Sequence, residues 1–200
     1  PEGIHSHKVR VSGDVMLVNY ERFKTKKEPQ GGLKVFDISD RTRPREITFF
    51  KAAAKGVHRF TFDGRYAYFS PVMDGYVGNN VMILDLKDPA RPEEVGRWWM
   101  EGQWIGGGET PAWEGTDHRC HHPIRRGDRL YASYWHGGFV ILDISDMSRP
   151  KMVSHLDYSP PYPCPTHTTL PMANKIMGRD IMIVTDEEVG EKLSPTPFAF

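Results

Sequence analysis

Residues 138–146, with the sequence GFVILDISD and followed by Arg149-Pro150, decide the fold of this 200-residue chain, because the chain contains three versions of them. The earlier versions, GLKVFDISD and NVMILDLKD, begin at Gly32 and Asn80 and lead to Arg43-Pro44 and Arg91-Pro92. Their central aspartates, Asp37, Asp85 and Asp143, are separated by 48 and 58 residues. A period of this size is typical of stacked or radial repeat architectures.

Each version lies within a unit of four short predicted strands. In the second unit, residues 58–62 turn at Asp63-Gly64 into residues 66–69, and Gly supplies the positive φ that such a hairpin needs. The repeated phrase follows as a third strand that is apolar on both faces and therefore buried. An Asp-x-x-Arg-Pro turn and a last short strand complete the unit. Four strands in about 50 residues are the composition of a β-propeller blade.

We therefore predict an all-β chain in which residues 1–200 are part of a single β-propeller domain. The four-stranded blades lie roughly at residues 5–56, 57–118 and 119–164, and an incomplete blade lies at 165–200, so that about three and a half blades are present. The alternative, a β-sandwich of unrelated hairpins, gives no reason for the repeated Asp-x-x-Arg-Pro offset. Because propellers close with about 4–8 blades, we expect an additional chain segment, or a second polypeptide or copy, to complete the ring.

The composition excludes several classes of partner. Lys plus Arg and Asp plus Glu both number 26, so no basic field favours nucleic acid. Apolar runs are far shorter than the ~20 residues that span a bilayer, so no membrane insertion is expected. The compartment stays open between cytoplasm and periplasm. The 19 glycines and 16 prolines separate short apolar runs, which indicates turn-rich β structure.

The three repeated phrases resemble the LVIVD repeat family of β-propeller proteins, whose name describes an apolar strand that ends in Asp. This resemblance covers nearly the whole chain and implies the fold rather than an activity. More distantly, the pattern is similar to the selenium-binding or methanethiol oxidase propellers and to the carotenoid-cleaving oxygenases. In those families histidines near the propeller axis hold a metal.

A histidine also precedes the first strand of every unit. In a propeller the first strands line the central channel, so residues at one repeat position share one level around the axis. His7 and His58 each stand six residues before the hairpin glycine. In the third unit this spacing selects His121, whereas side-chain alternation selects His122. His167 opens the fourth unit, and His5 could replace or support His7.

These histidines offer imidazole ligands to one point, which suits iron, copper, zinc or nickel. The candidate metal ligands are His7, His58, His121, His122 and His167. The alternative is a set of channel-lining side chains bonded to water and backbone. His118, His136 and His155 lack the register and are expected in loops or on the surface.

Carboxylates near the histidines would hold their second ring nitrogen. Asp186 and Glu187, which follow the second strand of the His167 hairpin, are the candidate catalytic pair. Other carboxylates on comparable segments are Glu2, Glu109, Glu114 and Asp117. Cys120 and Cys164 precede first strands of neighbouring blades and could be a thiol pair beside the metal, a disulfide, or incidental.

The segment from Trp98 to Gly115 is an insertion that holds four of the five tryptophans. Such a loop would cover the channel mouth and bind an apolar or aromatic substrate, or else pack at the rim between blades or against another subunit.

Three functions are compatible with these features. The first is a metal-dependent oxidoreductase that acts on a small-molecule substrate, with a transition metal ion for which iron or copper is favoured and zinc or manganese is possible. The second is a non-catalytic propeller scaffold for protein or carbohydrate binding. The third is a metal-dependent hydrolase or lyase on the same ligands. No phosphate loop, dinucleotide fingerprint, His-Glu-x-x-His motif or Gly-x-Ser-x-Gly elbow suggests other chemistry.

Overall fold

The computed structural model describes residues 3–22, 30–52, 55–115, 118–158 and 165–187, together with the backbone of 197–199. Within these ranges the regular structure is β, apart from two 3₁₀ turns at Ile105–Gly107 and Trp135–Gly137. None of the described residues forms a helix long and apolar enough to cross a membrane.

The first sheet, blade 1, has four main antiparallel strands, each of which pairs with the next along the chain. The short strand β1 pairs with the far end of β3. The strands are β1 (Ile4–His5), β2 (Val9–Ser12), β3 (Val15–Arg22), β4 (Gly32–Asp37) and β5 (Arg45–Lys51).

Blades 2 and 3 repeat this four-stranded antiparallel order. Blade 2 contains β6 (Gly56–Phe62), β7 (Tyr66–Val72), β8 (Val81–Asp85) and β9 (Glu93–Trp98). Blade 3 contains β10 (Cys120–Arg126), β11 (Arg129–Tyr134), β12 (Phe139–Asp143) and β13 (Lys151–Leu156).

A further sheet, blade 4, has three strands in the described residues. It contains β14 (Thr166–Pro171), β15 (Met182–Asp186) and β16 (Pro197–Ala199). Strand β16 pairs antiparallel with β15, which is the place of the third strand in the other blades.

The hydrophobic core lies between successive blades rather than inside one sheet. Alternate residues of the third strand contact the blades on either side. In β8, Met82 and Leu84 pack against blade 1, whereas Val81 and Ile83 pack against blade 3. A third cluster joins Phe139 of blade 3 to blade 4. This double burial explains why the repeated phrase is apolar on both faces.

The repeated aspartates occupy the same place in each blade. Asp37, Asp85 and Asp143 end the third strand, and each Oδ1 accepts the backbone N–H two residues later, at 2.8, 2.7 and 2.9 Å. Each carboxylate also pairs with an arginine of its own blade. These local bonds close the turn that leads to Arg-Pro.

First strands β6, β10 and β14 lie side by side, so they form the inner wall of the arrangement. The all-β fold with four-stranded propeller blades, about three and a half of them, is confirmed.

Candidate metal centre

Four histidines occupy one level of the inner wall. Three of them are equivalent by the hydrogen bond of the residue that follows. The backbone N–H of Lys8, of Arg59 and of His122 each donates to a polar side chain in the second strand of its own blade. The ring centroids of successive histidines are 5.1, 4.8 and 4.5 Å apart. We call this set, made of His7, His58, His121 and His167, the histidine arc.

The arc depends on an irregularity at the start of the first strands. Pairing shifts register between Val57 and Phe60, between Cys120 and His122, and between Thr166 and Thr168. A bulge of this kind interrupts the alternation of side chains between faces. The six-residue spacing to the hairpin glycine therefore identifies the member of the arc in blade 3, and alternation does not.

His121 is accordingly the equivalent of His58, and His122 lies one residue deeper. The His122 ring is buried, with its Nδ1 3.5 Å from Thr168 Oγ1. His5 stacks on His7 with ring centroids 4.4 Å apart and extends the arc at its open end.

A buried polar residue of each blade fixes the histidine of the next blade. Asn19 Nδ2 donates to the carbonyl oxygen of His58 at 3.1 Å, and the hydroxyls of Ser70 and Ser133 donate to those of His121 and His167 at 3.0 and 2.8 Å. These donors were not among the residues predicted from the sequence. Their signal is a polar residue six positions after the hairpin glycine, in an otherwise apolar second strand.

The hydrogen bonds of His58 and His121 define their ring orientation. Nδ1 of His58 lies 2.7 Å from Glu21 Oε2, and Nδ1 of His121 lies 2.8 Å from the carbonyl oxygen of His167. Since both partners are acceptors, both Nδ1 atoms carry hydrogen. The two Nε2 atoms face one another at 3.0 Å.

That contact needs a cation between the rings. With hydrogen on Nδ1, a neutral imidazole presents a lone pair at Nε2, so two neutral rings would place two lone pairs 3.0 Å apart. A shared proton relieves this, and so does a metal ion. Two nitrogens at right angles about one metal, with bonds of about 2.1 Å, are about 3.0 Å apart.

Two glutamates lie at equivalent places beside the arc. Glu21 is two residues beyond Asn19, the polar residue in the second strand of blade 1. Thr185 takes that place in blade 4, because it pairs with Thr168 in the same way as Ser133 pairs with His122 in blade 3. Glu187 is two residues beyond Thr185. Glu187 Oε2 is 3.8 Å from Nε2 of His167. Glu187 was predicted from the sequence, whereas Glu21 was not, although the shared offset was its signal.

The described residues contain two groups in which one ligand atom from each member lies within 4.8 Å of the others. Each group combines two histidines with one glutamate, and His58 lies between the groups because it contacts Glu21 and His121. The groups are His5, His7 and Glu21, and His121, His167 and Glu187.

Burial lowers the pKa of three members of the arc, His7, His121 and His167. Desolvation, followed by the charge of His58, lowers the pKa of His7 to about 4. Desolvation, followed by the charge of Arg59, lowers the pKa of His167 to about 4. Burial also holds the pKa of His121 well below its ordinary value. Neutral imidazole is the form that binds metals.

The arc opens into a cavity of about 520 Å³. Its wall combines His7, His58 and His121 of the arc and both glutamates with Val72 and Trp135. The last two stand at the end of the second strand in blades 2 and 3, as the glutamates do in blades 1 and 4. Lys55, Arg59 and Arg119 add positive charge.

Asp186 and Cys120 face other surroundings. Asp186 Oδ1 accepts the Tyr158 hydroxyl at 2.7 Å, and burial raises the pKa of this carboxyl. Cys120 is buried in the core between blades 2 and 3, and burial raises the pKa of its thiol. Neither residue lines the cavity. Cys164, Glu2 and Asp117 lie outside the described residues.

The Trp98–Gly115 insertion packs at the rim of blade 2. Trp99 and Trp104 surround Tyr76, and the Glu109 carboxylate accepts from Trp99 Nε1 and from two backbone N–H groups. Trp98 packs edge-on against Tyr134 of blade 3. No residue of the insertion lines the cavity, so it belongs to the rim.

Comparison with known proteins agrees with this architecture. Residues 126–157, which run from the end of β10 to just beyond β13, match the LVIVD repeat model. The fold is a partial β-propeller. The periplasmic gluconolactonase of Pseudomonas aeruginosa is similar over 92% of this chain and 53% of its own, with a TM-score of 0.58 and 14% identity.

Two further structures are similar over most of this chain. The GH32 β-fructofuranosidase of Bombyx mori has a TM-score of 0.53 and 12% identity, over 94% of this chain and 44% of its own. The computationally designed Ika8 protein has a TM-score of 0.55 and 8% identity, over 91% of this chain and 43% of its own. The chain thus spans about half the length of these structures or less, and the likeness establishes the fold alone. No curated protein matches by sequence.

Proposed function

We propose that the histidine arc holds a transition metal ion and that the protein is a metal-dependent oxidoreductase acting on a small organic substrate. The observation that carries this proposal is the 3.0 Å approach of Nε2 of His58 and Nε2 of His121, whose Nδ1 atoms both face acceptors. A metal ion satisfies both lone pairs without protonating His121, whose burial opposes protonation.

Each residue of the site has a distinct task in this proposal. His7, His58, His121 and His167 would hold the ion, and a bound ion would supply Lewis acidity and a change of oxidation state. Glu21 fixes the His58 tautomer and strengthens it as a ligand. Glu187, at the cavity wall beside His167, is placed to accept a substrate proton.

The cavity wall supports a small substrate that carries both polar and apolar groups. Trp135 contacts the His121 ring at a tilt of 48° with centroids 5.0 Å apart, and the guanidinium of Arg119 lies over the indole at 4.3 Å. This packing restricts the Trp135 ring, so it would present a fixed apolar surface to substrate beside the metal ligands.

The choice of oxidation rests on ligand type and on the distant resemblance to axial-histidine propellers. An imidazole-rich site suits iron and copper. The two glutamates favour a second candidate, a hydrolase or lyase with zinc or manganese, because carboxylates at the cavity wall can act as general bases.

Metal analysis of the purified protein tests the proposal. We expect about one equivalent of a transition metal by mass spectrometry after growth in unsupplemented medium, and restoration of that content when chelator-treated protein is incubated with Fe(II), Cu(II), Zn(II) or Mn(II) in separate reactions. Iron or copper would support oxidation, and zinc or manganese would favour hydrolysis or elimination. Protein that neither retains nor rebinds any of the four ions would overturn the metal site and leave a non-catalytic scaffold.

A further inference from the structure

A second layer of side chains lies directly beneath the histidine arc. Its members follow the four histidines in the chain, and three of their backbone N–H groups donate to the second strand at 2.8, 3.1 and 3.1 Å. These equivalent bonds place them one step deeper around the same axis. We call this set, made of Lys8, Arg59, His122 and Thr168, the lower layer.

The lower layer carries positive charge with no counter-ion in contact. Within the described ranges no carboxylate lies within ion-pair distance of Lys8 or Arg59, whereas each repeated aspartate at the end of a third strand pairs with an arginine. Arg10, two residues beyond Lys8, adds a third cation below and lines a smaller cavity of about 250 Å³. Charges of one sign gathered without partners favour binding of the opposite sign.

Polar atoms in this layer are also buried without hydrogen bonds. His122 is only 7% exposed, and its Nε2 has no partner. The Nε of Arg59 is likewise buried and unpaired, although Arg59 lines the main cavity. Such atoms are costly unless a ligand or water satisfies them. Both belong to groups that can donate to an oxygen atom.

Charge changes along the axis, although Arg59 also reaches the wall of the main cavity. The carboxylates of Glu21 and Glu187 lie at that wall beside the arc, whereas Lys8 and Arg10 do not line it. A cation fits the upper levels, and an anion fits the lowest. One small molecule with an anionic group at one end could contact both.

We propose that Lys8, Arg59, His122 and Thr168 form an oxyanion subsite that binds the carboxylate or phosphate group of the substrate. The guanidinium of Arg59 offers parallel N–H donors that match two oxygens of such a group. The His122 ring completes the donor set together with the Thr168 hydroxyl, which can accept from Nδ1 of His167 at 2.7 Å and still donate its own hydrogen. The substrate role rests on the proposed function, but anion binding itself requires no metal.

The test is an isothermal titration of chelator-treated, metal-free protein with inorganic phosphate and, separately, with acetate. Ionic strength is held constant with sodium chloride. We expect saturable binding of at least one of the two anions, and the preferred anion identifies the substrate as a phosphate or a carboxylate. Absence of saturable binding for both anions would overturn the subsite.

Two variants locate the binding. Arg59→Gln removes the charge but keeps a polar side chain, and we expect it to weaken the preferred anion at least tenfold, as is typical for a charge-assisted bond. The matched control is Arg91→Gln, which alters an arginine that is 84% exposed and should leave binding unchanged. Equal losses in both variants would contradict the proposal. Lys8→Gln serves as the second variant if circular dichroism shows that Arg59→Gln does not fold.

The outcome is separable from that of the proposed function. Metal content is measured on the same preparations before chelation. Anion binding without any metal uptake would sustain the subsite and remove the metal site, whereas metal uptake without anion binding would do the reverse.

Discussion

Replacement of Glu21 by Gln should weaken metal binding, because it removes the charge that orients His58. The carboxylate oxygen lies 2.7 Å from Nδ1 of His58, and the Glu21 side chain is 17% exposed, so water screens this bond only in part. Losing an outer partner of a metal-bound histidine typically costs 10–100-fold in affinity, which is about 1.4–2.7 kcal/mol. The fold should persist, since one hydrogen bond to a charged group contributes about 1.5–3 kcal/mol to stability, and Gln can still bond the His58 ring.

The assay is competition between the protein and a chromogenic chelator for the metal found in the purified protein, at neutral pH. The matched control is Glu94→Gln, which alters a glutamate that pairs with Arg97 at 2.8 Å on β9 and does not line the cavity. We expect Glu94→Gln to behave as the unaltered protein. Unchanged affinity in folded Glu21→Gln protein would refute the role of Glu21, and equal losses in both variants would show that the effect is not local.

Three further results are expected. His121→Ala should lower metal content without unfolding the protein. The control is His155→Ala, which should not lower it, because the His155 ring bonds a backbone carbonyl and does not line the cavity. Equal metal loss in both variants would contradict this prediction. The metal-free protein should lose stability as the pH falls from about 6.5 toward 4, because the unfolded chain takes up protons there while His7 and His167, with pKa values of about 4, do not. Urea denaturation at a series of pH values checks the slope, and constant stability over that interval would refute it. Ser133→Ala should lower the free energy of unfolding by about 1–3 kcal/mol, since a fully buried hydroxyl bonds two backbone groups; an unchanged urea midpoint would count against it.

The fold could be predicted from the sequence because its defining contacts are local. Asp143 bonds the N–H of Ser145, two residues away, and the same bond recurs at the other two repeats. The third strand must be apolar on both faces in each blade, so the same letters return with each repeat. Such features are visible as a period without knowledge of how the sheets are arranged.

The candidate site could be predicted only in part. The histidine positions follow the repeat, and the sequence therefore named every member of the arc. The spacing to the hairpin glycine selected His121 and side-chain alternation selected His122, and only the register shift in the structure decides between the two rules. Glu21 contacts His58 across the junction of two blades, and the two residues are 37 positions apart in the chain. A glutamate occupies this place in only two of the four blades. The only signal of this contact in the sequence is the offset that Glu21 shares with Glu187, and two occurrences among four blades do not make a period.

The bonds from Asn19, Ser70 and Ser133 to the histidine carbonyls have a consequence for recombination of this protein. In a chimaera of two such proteins, the segment that must come from a single parent is not one sheet. It is the stretch from the second strand of one sheet to the first strand of the following sheet. Grafting that cuts between sheets would separate a histidine from the side chain that sets its height, even though every sheet stayed whole. Crossover points placed in the hairpin between the first and second strands of a blade would keep both halves of each junction in one segment, and such chimaeras should preserve the ligand geometry of their parents.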